Sequence, residues 1–146
     1  MVADQYVEVI GADILQRRVA ELGDEIAPVY GDDVVVVGVL KGSLIFMKDL
    51  MTHLPLTYTA EFLSLTRFGH DGRVSVNLDV SIPLEDRDVL LVLDIVDTGL
   101  TLNTIRTMLA TRGARSVRTV ALLDKVPRRI VDVDLEFRGF EVGDEY

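Results

Sequence analysis

The sequence predicts an α/β fold, an open and mainly parallel sheet flanked by helices. Three observations carry that reading. Runs such as "VVVVGVL" (Val34 to Leu40) are β-branched and apolar on both faces, which is how a strand reads when it is covered on both sides. These runs alternate with stretches of helical apolar spacing, the pattern of parallel strands joined by right-handed crossovers. Apolar residues make up 49% of the chain but aromatics only 6%, with no tryptophan, so the core has to be built from Val, Leu and Ile. At 146 residues, 1–146 is expected to form one domain.

Leu15, Val19, Leu22 and Ile26 recur at helical spacing with Arg17, Arg18, Glu21 and Asp24 on the other faces, so Asp13 to Ala27 reads as an amphipathic helix ended by Pro28 and Gly31. Asp33 to Leu40 is the first strand. "KGS" breaks it, and Ser43 to Met51 is the next helix, with Ser43 as its cap. Tyr58 to Leu65 is the second strand. From Thr66 to Pro83 the pattern dissolves: Gly69 and Gly72 surround a lone His70, and a loosely alternating stretch follows. The segment reads as a long mobile excursion, with a functional β-ribbon and an ordinary exposed hairpin both open. Three clearer elements follow: strand Asp88 to Leu93, helix Thr101 to Thr111 with Leu102, Ile105 and Leu109 inward, and strand Ser116 to Leu123. Gly113 stops the helix as a left-handed cap.

A formal net charge of -9 argues against general affinity for nucleic acid or anionic membrane, which needs clustered Lys and Arg. The absence of cysteine excludes disulfides, thiolate metal sites and a Cys nucleophile, and fits a reducing compartment. The start "MVADQYVEVI" lacks the basic and apolar regions of a secretory signal, and the apolar runs are too short to span a membrane. A cytoplasmic protein is expected. GxxxxGK[ST] and GxGxxG are both missing, which removes two common nucleotide-binding loops. His53 and His70 have no partner at metal-ligand spacing. A phosphoacceptor receiver domain would need an acidic pair after the first strand, where this chain has "LKGS".

The informative stretch is "VLLVLDIVDTGLT" (Val89 to Thr101), an apolar strand that runs into two aspartates, two threonines and a glycine. In open parallel sheets ligands settle beyond the carboxyl ends of the strands. After Asp97, the residues Thr98, Gly99, Leu100 and Thr101 lead into a helix whose first N–H groups lack partners. With the helix dipole and two hydroxyls they form a cradle for a phosphate monoester. Carboxylates facing a phosphate dianion would repel it. Asp94 therefore suits sugar hydroxyls or a Mg²⁺ ion, and Asp97 suits proton transfer beside the reacting group. A polar turn accounts for any one of these residues; the ensemble points to a site.

The same stretch closely resembles the phosphoribosyl-pyrophosphate signature of type I phosphoribosyltransferases, in particular the hypoxanthine/guanine group. "GVLKGSLIFMKDL" (Gly38 to Leu50) is similar to that group's pyrophosphate loop and helix, and "LLDKVPRRIVDVDLEFRGFEVGDEY" (Leu122 to Tyr146) to its purine-binding end. The resemblance implies the type I phosphoribosyltransferase fold, with residues 66–83 as a mobile loop over the site. It implies that Asp97, Thr98, Gly99, Leu100 and Thr101 hold a 5′-phosphate, with Asp97 also acting as general acid/base near purine N7. Asp94 would touch the ribose hydroxyls and Mg²⁺. Lys41 and Gly42 would meet pyrophosphate, often through a non-proline cis peptide in this family, and Arg129 would neutralise the same leaving group. Lys125, a solvated loop lysine by its neighbours alone, would donate to a 6-oxo purine and so select hypoxanthine or guanine over adenine. Tyr146 would stack on the base. The reaction implied displaces pyrophosphate from an activated ribose to give a nucleoside monophosphate, by a Mg²⁺-dependent homo-oligomer, dimer or tetramer.

Three departures from the family pattern qualify these expectations. Leu93 stands where the family has the first of two acids. "LTRFG" puts Arg67 and Phe68 where the mobile loop commonly carries a Ser-Tyr pair, and Arg67 is a candidate pyrophosphate contact. Family members continue beyond the point matching Tyr146, so 124–146 is expected to form an incomplete purine-binding hood. Leu93 and the early end also suit a second reading, a regulatory homologue that binds phosphoribosyl pyrophosphate or a nucleotide without turnover.

Overall fold

The computed structural model describes residues 10–69 and 73–144; His70, Gly72 and Tyr146 lie outside them. Helix α1 (Ala12–Ile26) precedes strand β1 (Val34–Leu40), and helix α2 (Leu44–Met51) leads to β2 (Tyr58–Phe68). Strand β3 (Arg73–Leu78) turns back on β2, and β4 (Asp88–Val96), α3 (Leu100–Thr111), β5 (Ser116–Asp124) and β6 (Phe137–Glu141) complete the order. The sheet runs β3-β2-β1-β4-β5-β6, with every neighbouring pair parallel except β2 and β3. From β1 the chain moves outward to β2 and β3, then returns to the other side of β1 as β4. The loops after β1 and β4 consequently diverge, and the crevice between them is a topological switch point.

Side-chain parity along the central strands builds two apolar layers. Val34, Val36, Leu90 and Val92 pack with Val19, Leu22 and Ile26 of α1 and with Phe46, Met47 and Leu50 of α2. Val35, Val37, Val89, Leu91 and Leu93 pack with Leu102, Ile105 and Leu109 of α3. Each such Leu or Ile buried contributes about 1.5–3 kcal/mol of transfer free energy. Leu93, at the place of the family's first acid, is thereby a core residue. Its neighbour Asp94 takes the opposite parity and looks toward the start of α2.

Several boundaries differ from expectation. The strand expected to end at Leu93 continues to Val96, because pairing with β5 persists at Ile95 with Leu123 and Val96 with Asp124; Asp94 is thus inside the strand. Ser43 does not cap α2: it is fully buried, and its hydroxyl donates to the Val39 carbonyl instead of accepting from the helix amides. The second strand runs on to Phe68, and the excursion is a β-ribbon in which Arg67 faces Val74 and Phe68 faces Arg73. Its return is tied down where Glu61 accepts from the Ser81 hydroxyl at 2.7 Å and Asp79 accepts a bidentate pair from Arg112 at 2.6 and 2.8 Å. Strand β6 had no counterpart in the sequence reading. Gly113, at φ +83°, does end α3 in the left-handed region. Among the described residues no helix is long and apolar enough to cross a membrane.

Candidate active site

At the end of β4 the chain makes the turn into α3 through Gly99, whose φ of +88° is left-handed. A second constraint also demands glycine here. A Cβ at this position would stand 2.8 Å from Arg129 Cδ, 3.0 Å from Val133 Cγ1 and 3.2 Å from the Val131 carbonyl oxygen. The 129–131 segment braces the loop from behind: Arg129 Nε donates to the Asp97 carbonyl at 3.3 Å and the Ile130 amide to the Thr98 carbonyl at 2.8 Å. With these carbonyls turned back, the loop presents Thr98, Thr101 and the first turn of α3 to the crevice. The helix's own ladder begins only with the Asn103 amide on the Gly99 carbonyl. The amides of residues 100–102 precede it, that of Leu100 donating to the Thr98 hydroxyl at 3.3 Å, in the region where a helix binds anions.

The β1 end supplies the facing wall. The Leu40–Lys41 peptide is cis, Lys41 is exposed, and Gly42 abuts the acid of β4. A Cβ on Gly42 would lie 2.2 Å from Asp94 Oδ2 and 2.8 Å from its Cγ. Glycine is what allows that carboxylate to reach the loop after β1, so adjacency of β1 and β4 brings Asp94 and Gly42 together. Between the walls is a cavity of about 290 Å³, lined by Gly42, Asp94, Asp97, Thr98, Gly99 and Thr101 among others, with Arg67 reaching in from the ribbon. An adjoining hollow of about 680 Å³ shares Arg67, Asp97, Thr98 and Thr101 and adds Leu100, Arg128 and Ile130.

The segment after β5 closes the third side. The Lys125 amide donates to the Val96 carbonyl at 2.9 Å, which fixes the half-buried lysine at the end of β4. Asp124, only 1% exposed, is bound by Arg129 Nη2 and lies 3.4 Å from Arg138 Nη1. Arg129, expected on the leaving group, therefore has its guanidinium committed beneath the loop, and the two cavities are lined without it. Its neighbour Arg128 points outward instead, with Nε 3.1 Å from Asp97 Oδ1 and 3.6 Å from Asp144 Oδ1. Contact with Asp97 holds the Arg128 guanidinium above its ordinary pKa. Sequence reasoning missed both Arg128 and Asp124. The doublet "RR" after Val126-Pro127 was visible, but nothing local says which arginine turns inward.

A third hollow, about 460 Å³, runs along α3 between Arg106 and Asp132 and carries none of the anticipated groups. Among the described residues no three acidic or histidine side chains gather into a metal-binding cluster. The donor set at the crevice is Asp94 with Asp97 nearby, Leu93 adding only apolar surface to the cavity wall. That set suits Mg²⁺, which takes one or two carboxylates and fills its sphere with substrate oxygens and water.

A parallel sheet whose switch point carries a glycine turn into a helix start, an acid reaching the opposite loop and a ribbon alongside defines the type I phosphoribosyltransferase class. Comparison with known proteins agrees. Residues 10–145 match the phosphoribosyl transferase domain family. The hypoxanthine-guanine phosphoribosyltransferase of Bacillus subtilis is 37% identical over 142 residues, covering 94% of this chain and 79% of that protein. The hypoxanthine phosphoribosyltransferase of Escherichia coli K12 is 38% identical over 141 residues, covering 90% and 78%. A crystal structure of a hypoxanthine-guanine phosphoribosyltransferase from Bacillus anthracis superposes with a TM-score of 0.93 at 33% identity, covering 97% of this chain and 84% of that one. The chain belongs to the type I phosphoribosyltransferases and, within them, to the hypoxanthine/guanine family.

Proposed function

We infer that the protein transfers the phosphoribosyl group of phosphoribosyl pyrophosphate to a 6-oxo purine, hypoxanthine or guanine, giving the nucleoside 5′-monophosphate and pyrophosphate in purine salvage. The observation that carries this reading is the convergence of Asp94, Asp97, Thr98, Gly99 and Thr101 with Gly42 of the loop after β1 on one crevice. The 5′-phosphate sits against residues 97–101, anchored by amides and by the Thr98 and Thr101 hydroxyls. Asp94 accepts from the ribose hydroxyls, orienting C1 between the cradle and the β1 loop. The purine, positioned by Lys125 donating to its 6-oxygen and by Tyr146 on its face, attacks C1 through N9. As the C1–O bond to pyrophosphate breaks, Asp97 accepts the proton from purine N7.

Lys41 and Arg67 offset the charge of the departing pyrophosphate, with Gly42 giving it room; Arg129 contributes by holding the 97–101 loop in place. Asp94, with substrate oxygens, would hold Mg²⁺, which supplies charge neutralisation for the polyphosphate. The 66–83 ribbon closes over the crevice during turnover and keeps out water that would hydrolyse the cationic sugar. Positioning and charge management supply most of the acceleration. The active form is a homo-oligomer, a reading supported by the exposed apolar Leu44 and Ile45 beside the leaving-group loop. A cytoplasmic setting accords with its phosphorylated substrates.

The test is nucleotide formation from hypoxanthine or guanine with phosphoribosyl pyrophosphate and Mg²⁺, for wild type and Asp97→Asn. The wild type is expected to be active and the variant to lose about 10²-fold or more, the scale of general acid–base catalysis. Tight binding of the sugar phosphate without product would instead favour a regulatory homologue, a reading the core placement of Leu93 keeps in view. Equal rates for the two proteins would remove Asp97 from the mechanism.

A further inference from the structure

Arg128 is the cation nearest the carboxylate that the proposed reaction needs free. Its side chain is 48% exposed and that of Asp97 43% exposed, so the 3.1 Å pair between them is a solvent-facing one. Such pairs have little net strength and exchange readily. The adjacent Arg129 is the opposite case, committed to the buried Asp124. Of the two arginines, Arg128 alone can change partners without leaving a charge stranded inside the protein.

The alternative partner is close at hand. Arg128 lines the same hollow as Thr98, Leu100 and Thr101, the residues of the phosphate cradle. A phosphate dianion carries more charge than a carboxylate and accepts the planar guanidinium fork in a bidentate way. Filling the cradle therefore sets a stronger acceptor against a weaker one for a single mobile cation. Arg128 also lies 3.6 Å from Asp144, which ties the turn after Lys125 to the chain leading to Tyr146.

We propose, resting on the phosphoribosyl-transfer reading above, that Arg128 is a positioning residue that exchanges partners: it masks Asp97 in the ligand-free protein and moves to the sugar's 5′-phosphate when the cradle fills. Asp97 is thereby released to the purine. The exchange couples the two substrate sites, since the cation that strengthens sugar-phosphate binding is the one that obstructs the purine. Coupling of this kind is reciprocal, and its usual range is about 5- to 150-fold in affinity.

Calorimetric titration with ribose 5-phosphate, and with hypoxanthine in its presence and absence, tests the exchange in wild type, Arg128→Gln and Arg128→Lys. Wild type should bind hypoxanthine about tenfold more tightly once ribose 5-phosphate is present, the low part of that range. Arg128→Gln should bind ribose 5-phosphate about tenfold more weakly, as loss of a charge-assisted bond implies. It should also bind hypoxanthine alone more tightly than wild type and show little coupling. In turnover its KM for phosphoribosyl pyrophosphate should rise while kcat changes little. Arg128→Lys, which keeps the charge, should recover most of the loss. Unchanged ribose 5-phosphate affinity or unchanged coupling in Arg128→Gln would overturn the exchange, as would a lysine variant as weak as glutamine. If wild type makes nucleotide at the same time, the proposed reaction stands and only the exchange falls; if wild type binds no ribose 5-phosphate, both fall.

Discussion

Replacing Arg129 by methionine keeps the apolar stem against Gly99 and deletes the guanidinium that neutralises Asp124. Asp124 is 1% exposed, and among the described residues only Arg138, 3.4 Å away and itself 41% exposed, remains to balance it. Removing one partner of a buried pair costs about 3–5 kcal/mol, and the residual arginine places this case near about 3 kcal/mol. Loss of the Nε bond to the Asp97 carbonyl adds about 1 kcal/mol. A total near 4 kcal/mol corresponds to a fall in Tm of roughly 8–16 °C for a domain of this size. Urea denaturation followed by circular dichroism measures it at equilibrium. Asp124→Leu combined with Arg129→Met should lose far less than the two single changes summed, because an apolar pair leaves no stranded charge. The activity readout separates two roles. If Arg129 acts by bracing the 97–101 loop, Asp124→Leu, which touches no substrate, should raise KM for phosphoribosyl pyrophosphate much as Arg129→Met does. A loss under 1 kcal/mol in Arg129→Met, or additive singles, would refute the buried-pair argument.

Gly42→Ala should leave stability within about 1 kcal/mol, because the atom it meets ends a short side chain that can turn aside. It should still lower kcat/KM by at least about tenfold, since the displaced group is Asp94; transfer assays and urea denaturation on the same variant check both halves. At the opposite end of the sheet, hydrogen bonds from Arg115 and then Ser116 depress the Asp88 carboxyl to about 2. A depressed acid adds stability that is complete above its unfolded value near about 4 and is lost as pH falls through about 2. Asp88→Asn should therefore flatten the acid limb of a stability–pH curve. Tyr30 is 6% exposed, and burial pushes its hydroxyl up to about 12 despite Arg118 over its ring at 5.4 Å. A raised tyrosine contributes stability that is full below its unfolded value near about 10 and declines as pH rises toward about 12. Thermal melts across that range should show the decline in wild type and lack it in Tyr30→Phe.

The turn from β4 into α3 was legible because its signals are local. An apolar run, then Asp97-Thr98-Gly99, then Leu102, Ile105 and Leu109 at helical spacing, specify strand, turn and helix without reference to the rest of the chain. The left-handed Gly113 is legible in the same way, as a glycine just past the last helical apolar position, whereas the left-handed turn at Gly99 is a finding of the structure. The end of β4 was misjudged because Asp94 looks like a strand terminator. Only pairing with β5, fixed from outside the segment, carries the strand past it. Strand β6 was invisible because its five residues are at most half-buried and show no clear alternation; it exists through its parallel pairing with β5.

The residues alone were enough for the class of fold and for the glycine turn from β4 into α3, since propensity, periodicity and backbone freedom act over a few residues. The tertiary structure decided which distant groups meet: Gly42 with Asp94 across adjacent β1 and β4, Arg128 with Asp97, Arg129 with Asp124. Strand order and the inward or outward turn of neighbouring arginines depend on burial and charge balance summed over the whole chain. No local window contains those sums.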